Sequence, residues 1–91
     1  MHALDALGNP TRRKILRKLR RQPLSVGELA AKFPVSRPAV SRHLRVLEEA
    51  GLVTHSRALY SVRVQGFASV RDFLDEFWDT ALSQLEELAK E

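Results

Sequence analysis

Apolar positions recur every three or four residues along most of the chain, a spacing typical of amphipathic helices. The first such segment spans residues 2–7, and the second begins at Pro10 and ends near Arg21. Asn9 is a suitable cap for the second helix, and proline is preset for a first helical position. The N-terminal part of the chain is therefore predicted to form two consecutive helices.

Two shorter helical segments follow, separated by a tight turn of two residues. Ser25 and Glu28 have the spacing of a capping box, which predicts a third helix over about 26–33. A second serine cap opens a fourth helix over 36–50. Two helices joined in this way are typical of a helix-turn-helix, here over residues 25–50, whose second helix enters the DNA major groove.

The remaining pattern predicts a small hairpin and one long helix. Two β-prone runs within residues 52–63 are separated by Ser56 and Arg57, neither of which favours the positive φ of a two-residue turn. The hairpin is therefore expected either to be short and irregular or to lack its tip in this chain. Residues 67–90 carry apolar side chains at helical spacing. No repeat or linker interrupts the chain, so residues 1–91 are predicted to form one domain, mainly α-helical with a small β-hairpin.

Charge divides the chain into two parts of opposite sign. Residues 1–66 carry 13 basic and 4 acidic side chains, a net of +9, whereas residues 67–91 carry 2 basic and 7 acidic ones, a net of −5. This division indicates a body that binds a polyanion and a terminal helix that avoids it. An ordinary solvated surface is the alternative interpretation.

Length and composition exclude several classes of protein. With 91 residues the core is small, so a second copy of the chain is a natural means of enlarging it. The absence of cysteine excludes disulfides and thiolate metal sites. Early charged residues and the lack of a long apolar run argue against a signal peptide and a membrane partner, so a cytoplasmic location is expected. No glycine-rich phosphate loop or catalytic triad motif is present, which argues against an enzyme and against a cofactor.

The polar face of the fourth helix carries the candidate DNA contacts. We expect base contacts from Arg37, Ser41 and Arg42, because arginine pairs bidentately with guanine and serine can serve either base edges or phosphate. Ser36, at the helix N-terminus, is better placed for a phosphate. Arg45, one turn further along, is expected to contact the DNA backbone.

Two segments resemble a known family. Residues 36–53, SRPAVSRHLRVLEEAGLV, resemble the recognition-helix signature of ArsR/SmtB-type winged helix-turn-helix repressors, and residues 7–16, LGNPTRRKIL, resemble the start of their first conserved helix. The resemblance covers nearly the whole chain. It implies a homodimeric transcriptional repressor of a palindromic DNA operator, with the first and last helices forming the dimer interface. The interface residues expected on this basis are Ala3, Leu4, Leu7, Val70, Phe73, Leu74, Phe77, Trp78, Ala81, Leu82 and Leu85.

The same resemblance implies further contacts with DNA. The hairpin would be the wing, and Arg57 or Arg63 would touch the minor groove or the flanking phosphates. Apart from the resemblance, the basic run that includes Arg12 would lie near the operator backbone in a dimer, where Thr11 would add a hydroxyl; an ordinary solvated helix face is the alternative. The helical period places Pro38 on the DNA-facing side of the fourth helix.

Many ArsR/SmtB-type repressors release DNA when a metal binds, but their usual ligands are missing here. The third helix has no cysteine, and the last helix has carboxylates but no histidine, which makes a weak zinc site. His43 is expected to be packed or to touch a phosphate. The sequence thus predicts a repressor with no metal switch. Two alternatives stay open. The first is a derepressor that responds to a metal or ligand, in which Phe73, Phe77 and Trp78 line a pocket instead of forming part of the core or the dimer interface. The second is a winged-helix module for protein association.

Overall fold

The computed structural model of the protein describes residues 2–90; Met1 and Glu91, the two ends of the predicted domain, lie outside the described residues. The chain forms α1 (Ala3–Ala6), α2 (Pro10–Leu19), α3 (Val26–Ala30), α4 (Arg37–Glu49), β1 (Val53–Ser56), β2 (Leu59–Val62), a 3₁₀ helix (Val64–Phe67) and α5 (Ala68–Ala89). This mainly helical fold with one small antiparallel hairpin confirms the predicted fold class.

The core lies among α1, α2, α3, α4 and the start of the hairpin. Its buried apolar residues are Ala3, Ala6, Ile15, Leu16, Leu19, Leu24, Leu29, Val40, Leu44, Leu47, Leu52 and Val53. No residue of α5 is buried to this degree. The core that one chain builds therefore ends before the long helix begins.

Side-chain caps start three of the helices at the expected positions. Oδ1 of Asn9 accepts the Arg12 backbone N–H at 3.0 Å, and Ser25 and Glu28 form both bonds of their capping box at 3.1 and 3.0 Å. The helix ends differ from the prediction: α2 ends at Leu19 rather than near residue 21, and α3 ends three residues before residue 33. The N–H of Lys32 donates to the carbonyl of Leu29, a bond that tightens the last turn of α3, and Pro34 has no N–H to donate to the carbonyl of Ala30. The link from α3 to α4 is consequently longer than two residues.

A Schellman motif ends α4 and turns the chain towards β1. The N–H of Leu52 donates to the carbonyl of Leu47, and that of Gly51 donates to Glu48, both at 2.9 Å. Gly51 has a φ of +78°, which glycine adopts without strain. Gly66 packs directly on this turn, since a Cβ on Gly66 would lie 1.8 Å from the Gly51 carbonyl oxygen.

The hairpin is regular, and its turn lies one residue later than predicted. Strands β1 and β2 pair over all four residues of each, and the turn is formed by Arg57 and Ala58, with φ of +53° and +68°, rather than by Ser56 and Arg57. Positive φ at both turn residues is the geometry that the twist of a two-residue hairpin requires. Leu24 and Tyr60 exchange backbone hydrogen bonds of 3.0 and 2.8 Å, which tie the hairpin to the segment before α3.

The long helix α5 extends away from this core. Its 22 residues span about 33 Å at the usual helical rise. The molecule measures 51 × 24 × 21 Å, and its radius of gyration is 16.2 Å, against about 12 Å for a compact domain of this length. None of the described helices is long and apolar enough to cross a membrane.

Candidate nucleic-acid interface

Helix α4 separates its apolar and basic side chains onto opposite faces. Val40, Leu44 and Leu47 are fully buried against the core. Arg37 and Arg42 are exposed on the other side, as is the arginine one turn further along at position 45. None of these three guanidinium groups forms an ion pair within residues 2–90. The face predicted to bind DNA is therefore free, basic and held on a rigid helix.

The N-terminal end of α4 has an arrangement that the sequence analysis missed. A Cβ on Gly27 of α3 would lie 3.0 Å from Nη2 of Arg37, so the arginine rests on the bare backbone of α3. Ser36 accepts the Ala39 backbone N–H at 3.3 Å and keeps its own O–H free to donate. Pro38 is exposed beside them. A small residue in α3 thus makes room for the first arginine of α4.

Arg12 has partners within the protein that the sequence analysis did not predict. Its Nε donates to the carbonyl oxygen of Ala6 at 2.7 Å, and its Nη2 donates to that of Asp5 at 3.4 Å. Its Nη1 lies 3.5 Å from Nδ1 of His43 on α4. The guanidinium therefore joins the C-terminal end of α1 to the middle of α4 instead of extending freely towards DNA.

His43 is half-buried at this junction. Burial lowers the pKa of its imidazole, and the positive charges of Arg12 and Arg42 lower this pKa further. A neutral ring can accept a hydrogen bond from Arg12 at Nδ1. Its contact is thus with a neighbouring side chain, in agreement with a packed histidine. Thr11, beside Arg12 at the start of α2, is also half-buried.

The two arginines expected to act with the wing occupy different places. Arg57 is exposed in the turn at the tip of the hairpin. Arg63 follows β2 at the base of the hairpin, where its Nη1 donates to the carbonyl oxygen of Gly51 at 3.3 Å. Only Arg57 extends from the body in the manner expected of a wing contact, whereas Arg63 contributes to closing the end of α4.

A second side-chain contact joins the hairpin to α4. Nδ1 of His55 on β1 contacts a carboxylate oxygen of Glu48, and the imidazole ring stacks on Tyr60 with ring centroids 4.9 Å apart. This cluster was not predictable from spacing along the sequence, because its members come from three different elements. It adds a side-chain contact between the hairpin and α4 to the backbone bonds that already hold the hairpin.

The residues predicted for the dimer interface divide into buried and uncovered groups. Ala3 is buried in the core of its own chain, while Leu4 and Leu7 are half-buried. Val70 and Ala81 on α5 are also half-buried. Large apolar side chains along α5 are 39–67% exposed, namely Phe73, Leu74, Phe77, Trp78, Leu82, Leu85 and Leu88.

The uncovered stripe on α5 is large for a protein of this size. At roughly 100 Å² for each half-exposed side chain, the seven residues present about 700 Å² of apolar surface. Monomeric proteins rarely expose more than about 300–600 Å² in one patch, and a standard interface buries about 800 Å² from each partner. The described residues 2–90 include no group of three or more histidine or acidic side chains placed to hold a metal ion.

Comparisons with known proteins agree with this geometry. Residues 9–55 match the family model described as bacterial regulatory protein, arsR family. The HTH-type transcriptional regulator Rv2034 of Mycobacterium tuberculosis is 48% identical over 85 residues, which cover 89% of this chain and 79% of that protein. The transcriptional repressor SdpR of Bacillus subtilis is 38% identical over 56 residues, 62% of each chain.

Solved structures extend the similarity to the whole fold. A crystal structure described as a possible transcriptional regulator for arsenical resistance superposes with a TM-score of 0.79 and 41% identity, covering 96% of this chain and 95% of that one. The relatives are named as regulators and repressors of transcription, not as enzymes. Together with the free basic face of α4, these matches establish that the chain belongs to the ArsR family and is a DNA-binding transcriptional repressor.

Proposed function

We propose that the protein acts as a homodimer that binds a palindromic operator, with the α4 helices of the two protomers in successive major grooves on one side of the DNA. The observation that carries this proposal is the division of α4 into a buried apolar face and a free face that bears Arg37, Arg42 and Arg45. A dimer with two-fold symmetry places its recognition helices about 34–36 Å apart, which corresponds to half-sites about 10–10.5 base pairs apart.

Within each half-site we assign base reading to Arg37, Ser41 and Arg42. They lie in the N-terminal half of α4, the part that docks deepest in a helix-turn-helix complex. Ser36 and Arg45 are assigned to phosphates, since the free O–H of Ser36 lies at the helix N-terminus and Arg45 lies a turn further out.

The outer contacts come from α2, the start of α4 and the wing. Thr11 supplies a hydroxyl to the backbone, and Pro38 packs against the groove wall. Arg57 reaches the minor groove or the phosphates beside it from the exposed tip of the hairpin. The remaining N–H groups of Arg63 reach a phosphate at the base of the wing. Arg12 is assigned a different task, holding α1 against α4 through its carbonyl partners.

The dimer interface is assigned to α1 and α5. The apolar stripe on α5 supports this assignment, because its exposed apolar surface of about 700 Å² is close to the area that one partner contributes to a standard interface. We further propose that DNA release needs no metal. The donor set supports this, since α5 offers only carboxylates and the chain has no cysteine.

Selection of duplexes from a random pool by the purified protein, with and without zinc at fixed near-physiological salt, tests the proposal. A palindrome with half-sites one helical turn apart, enriched equally in both conditions, is the expected result. Loss of enrichment at micromolar zinc would contradict the absence of a metal switch. No enriched sequence at all would favour a protein-association module instead.

Substitution then separates base reading from general attraction. We expect Arg42→Ala to weaken binding to the selected site by about 1–3 kcal/mol for each half-site, while binding to random duplex changes far less. Arg45→Ala should weaken both to a similar degree. The control is Arg21→Ala, which removes the same charge from an exposed arginine two residues after the end of α2. Equal losses for Arg42→Ala on both duplexes would reassign Arg42 to a phosphate.

A further inference from the structure

A groove with an apolar floor opens between α2, the end of β2 and the 3₁₀ helix that precedes α5. Its volume is about 450 Å³, within the range of small-molecule pockets. Five apolar side chains form the floor, namely Leu7, Leu16, Val62, Val64 and Phe67. Val64 is 75% exposed there, so part of the floor is open to solvent. An apolar ligand of modest size can therefore bury surface in this groove.

Three arginines on and directly after α2 form one side of the groove. Arg13, Arg17 and Arg20 are four and three residues apart, a spacing that places them in one row along the helix surface. Arg13 is held in place, because its Nη1 donates to the carbonyl oxygen of Leu7 at 2.8 Å. Arg17 and Arg20 are exposed and form no ion pair within residues 2–90. Two positive charges beside the floor are thus free to bind an anion.

An apolar floor beside free arginines favours a ligand with one alkyl chain and one anionic head. A carboxylate is ionised at neutral pH, and a guanidinium can donate two parallel hydrogen bonds to it. Arginine is also less strongly hydrated than lysine, which favours its use next to an apolar surface. Among the described residues 2–90, no acidic side chain lines the groove. A neutral or cationic head would leave Arg17 and Arg20 without a counter-charge.

The groove differs from the surfaces assigned to DNA and to a second copy. Within residues 2–90, no residue of α4 lines it, and Leu7 is the one lining residue that is also predicted for the dimer interface. The aromatic part of the α5 stripe is a different surface, since Trp78 lies 11 residues beyond Phe67, about 16 Å along the helix. A ligand in the groove leaves the basic face of α4 uncovered.

We propose that this groove binds a fatty acid, with the alkyl chain on the apolar floor and the carboxylate between Arg17 and Arg20. The volume of the groove suits a single chain. The ligand contacts α2, the end of β2 and the 3₁₀ helix together, so its binding stabilises their packing. The inference goes beyond the proposed function, because it assigns a small-molecule ligand and depends neither on the operator nor on the homodimer.

Isothermal titration calorimetry of the full chain with decanoate, below the concentration at which decanoate forms micelles, tests the proposal. Acetate supplies the carboxylate without the chain, and decyltrimethylammonium supplies the chain with a positive head. The groove variant carries Arg17→Gln and Arg20→Gln. Its matched control carries Lys18→Gln and Arg21→Gln, which remove the same charge from exposed neighbouring positions that do not line the groove.

We expect one decanoate to bind per chain, and acetate and decyltrimethylammonium to bind at least tenfold more weakly. Octanoate, with two methylene groups fewer, should bind about three- to fifteenfold more weakly than decanoate, because less alkyl surface is buried. The groove variant should bind decanoate at least fivefold more weakly than the wild type, and the control should stay within about twofold. Equal affinities of the groove variant and the control, or no binding of decanoate, would overturn the proposal.

Two further measurements identify a different occupant or site. Val64→Asp, which places a negative charge at an exposed position of the floor, should weaken decanoate binding at least tenfold. Trp78 is the single tryptophan of the chain, so its fluorescence emission reports on the α5 stripe, and we expect decanoate to leave it unchanged. An emission shift that persists in Val64→Asp would place the ligand on that stripe and overturn the proposal. An affinity for decanoate that falls as the protein concentration rises would assign the groove to a second copy instead.

Discussion

Replacing Arg12 by glutamine should destabilise the protein without changing the number of phosphate contacts that the protein makes with DNA. The substitution removes the 2.7 Å hydrogen bond to the carbonyl of Ala6, the weaker 3.4 Å bond to that of Asp5, and the contact with His43. The Ala6 carbonyl lies at the C-terminal end of α1, where the helix provides no donor, whereas the Asp5 carbonyl also accepts the Gly8 backbone N–H at 3.1 Å.

The expected magnitude follows from these contacts. Hydrogen bonds from a charged donor contribute about 1.5–3 kcal/mol, and a bond of 3.4 Å adds little. Because the site is only partly buried, water can replace some of the lost bonding. We therefore expect a loss of about 1.5–2 kcal/mol in the free energy of unfolding, which lowers Tm by roughly 6–15 °C in a domain of this size.

Two measurements distinguish this role from a phosphate contact. Urea denaturation at one fixed protein concentration gives the stability, since a dimer unfolds in a concentration-dependent way. The salt dependence of operator binding gives the number of phosphates, with each contact adding about 0.9 to the slope, or about 1.8 for a dimer. For Arg12→Gln we expect an unchanged slope, and for the exposed Arg45→Gln a slope lower by about 1.8 at near wild-type stability. An Arg12→Gln protein of wild-type stability with the lower slope would refute the assignment.

Three further predictions, the first with a control substitution, test local features of the fold by denaturation. Gly66→Ala should lower the free energy of unfolding by about 2–3 kcal/mol, because its Cβ would collide with the Gly51 carbonyl. Gly8→Ala is the control and should cost much less, because its Cβ would lie 3.2 Å from the Asp5 carbonyl oxygen. Equal losses would contradict the close approach of Gly66 to Gly51. Ala58→Gly should stabilise the protein by about 0.5–1 kcal/mol, since glycine adopts a φ of +68° without strain; a destabilised variant would argue against this turn. Because the pKa of His43 is lowered in the folded protein, its imidazole takes up a proton at higher pH in the unfolded chain than in the folded one. The free energy of unfolding should therefore fall as pH drops from 7 through the ordinary pKa of histidine towards the lowered pKa. His43→Asn should reduce this dependence, and an unchanged pH profile of the unfolding free energy would be evidence against the shift.

Local chemistry made the helix starts and the core predictable. The bonds that begin α2, α3 and α4 join residues three apart, so Asn9, Ser25 and Ser36 could be identified from spacing alone. The inward face of α4 was likewise predictable, because the helical period fixes which residues share a side. These features depend on a few neighbouring residues, and that information is complete in the sequence.

Contacts between distant segments were not predictable in this way. The Arg12 guanidinium bonds to residues six and seven positions away and approaches His43, 31 positions away. Nothing in the short motif around Arg12 distinguishes a partly buried guanidinium bonded within the protein from a free basic side chain. The bare backbone that Gly27 offers to Arg37 depends in the same way on how α3 packs against α4.

The turn of the hairpin shows tertiary contacts overriding a local preference. Val53 is almost fully buried at the start of β1, and Tyr60 of β2 is bonded to Leu24. A shift of one residue in either strand would move each side chain to the opposite face of the hairpin. The pairing therefore places Arg57 and Ala58 in the turn, although neither is a residue that favours positive φ.

The separation of the core from α5 connects dimerisation to DNA binding. Because α5 has no buried residue within its own chain, the burial of its apolar stripe is available to stabilise the proposed dimer. That dimer links two α4 helices, so the second half-site is bound at a high effective concentration once the first is occupied. Substitutions of apolar residues on α5 should therefore weaken operator binding, although these residues do not contact DNA in the proposed complex. By linkage, a palindromic operator should tighten the dimer by the same factor by which dimerisation tightens DNA binding.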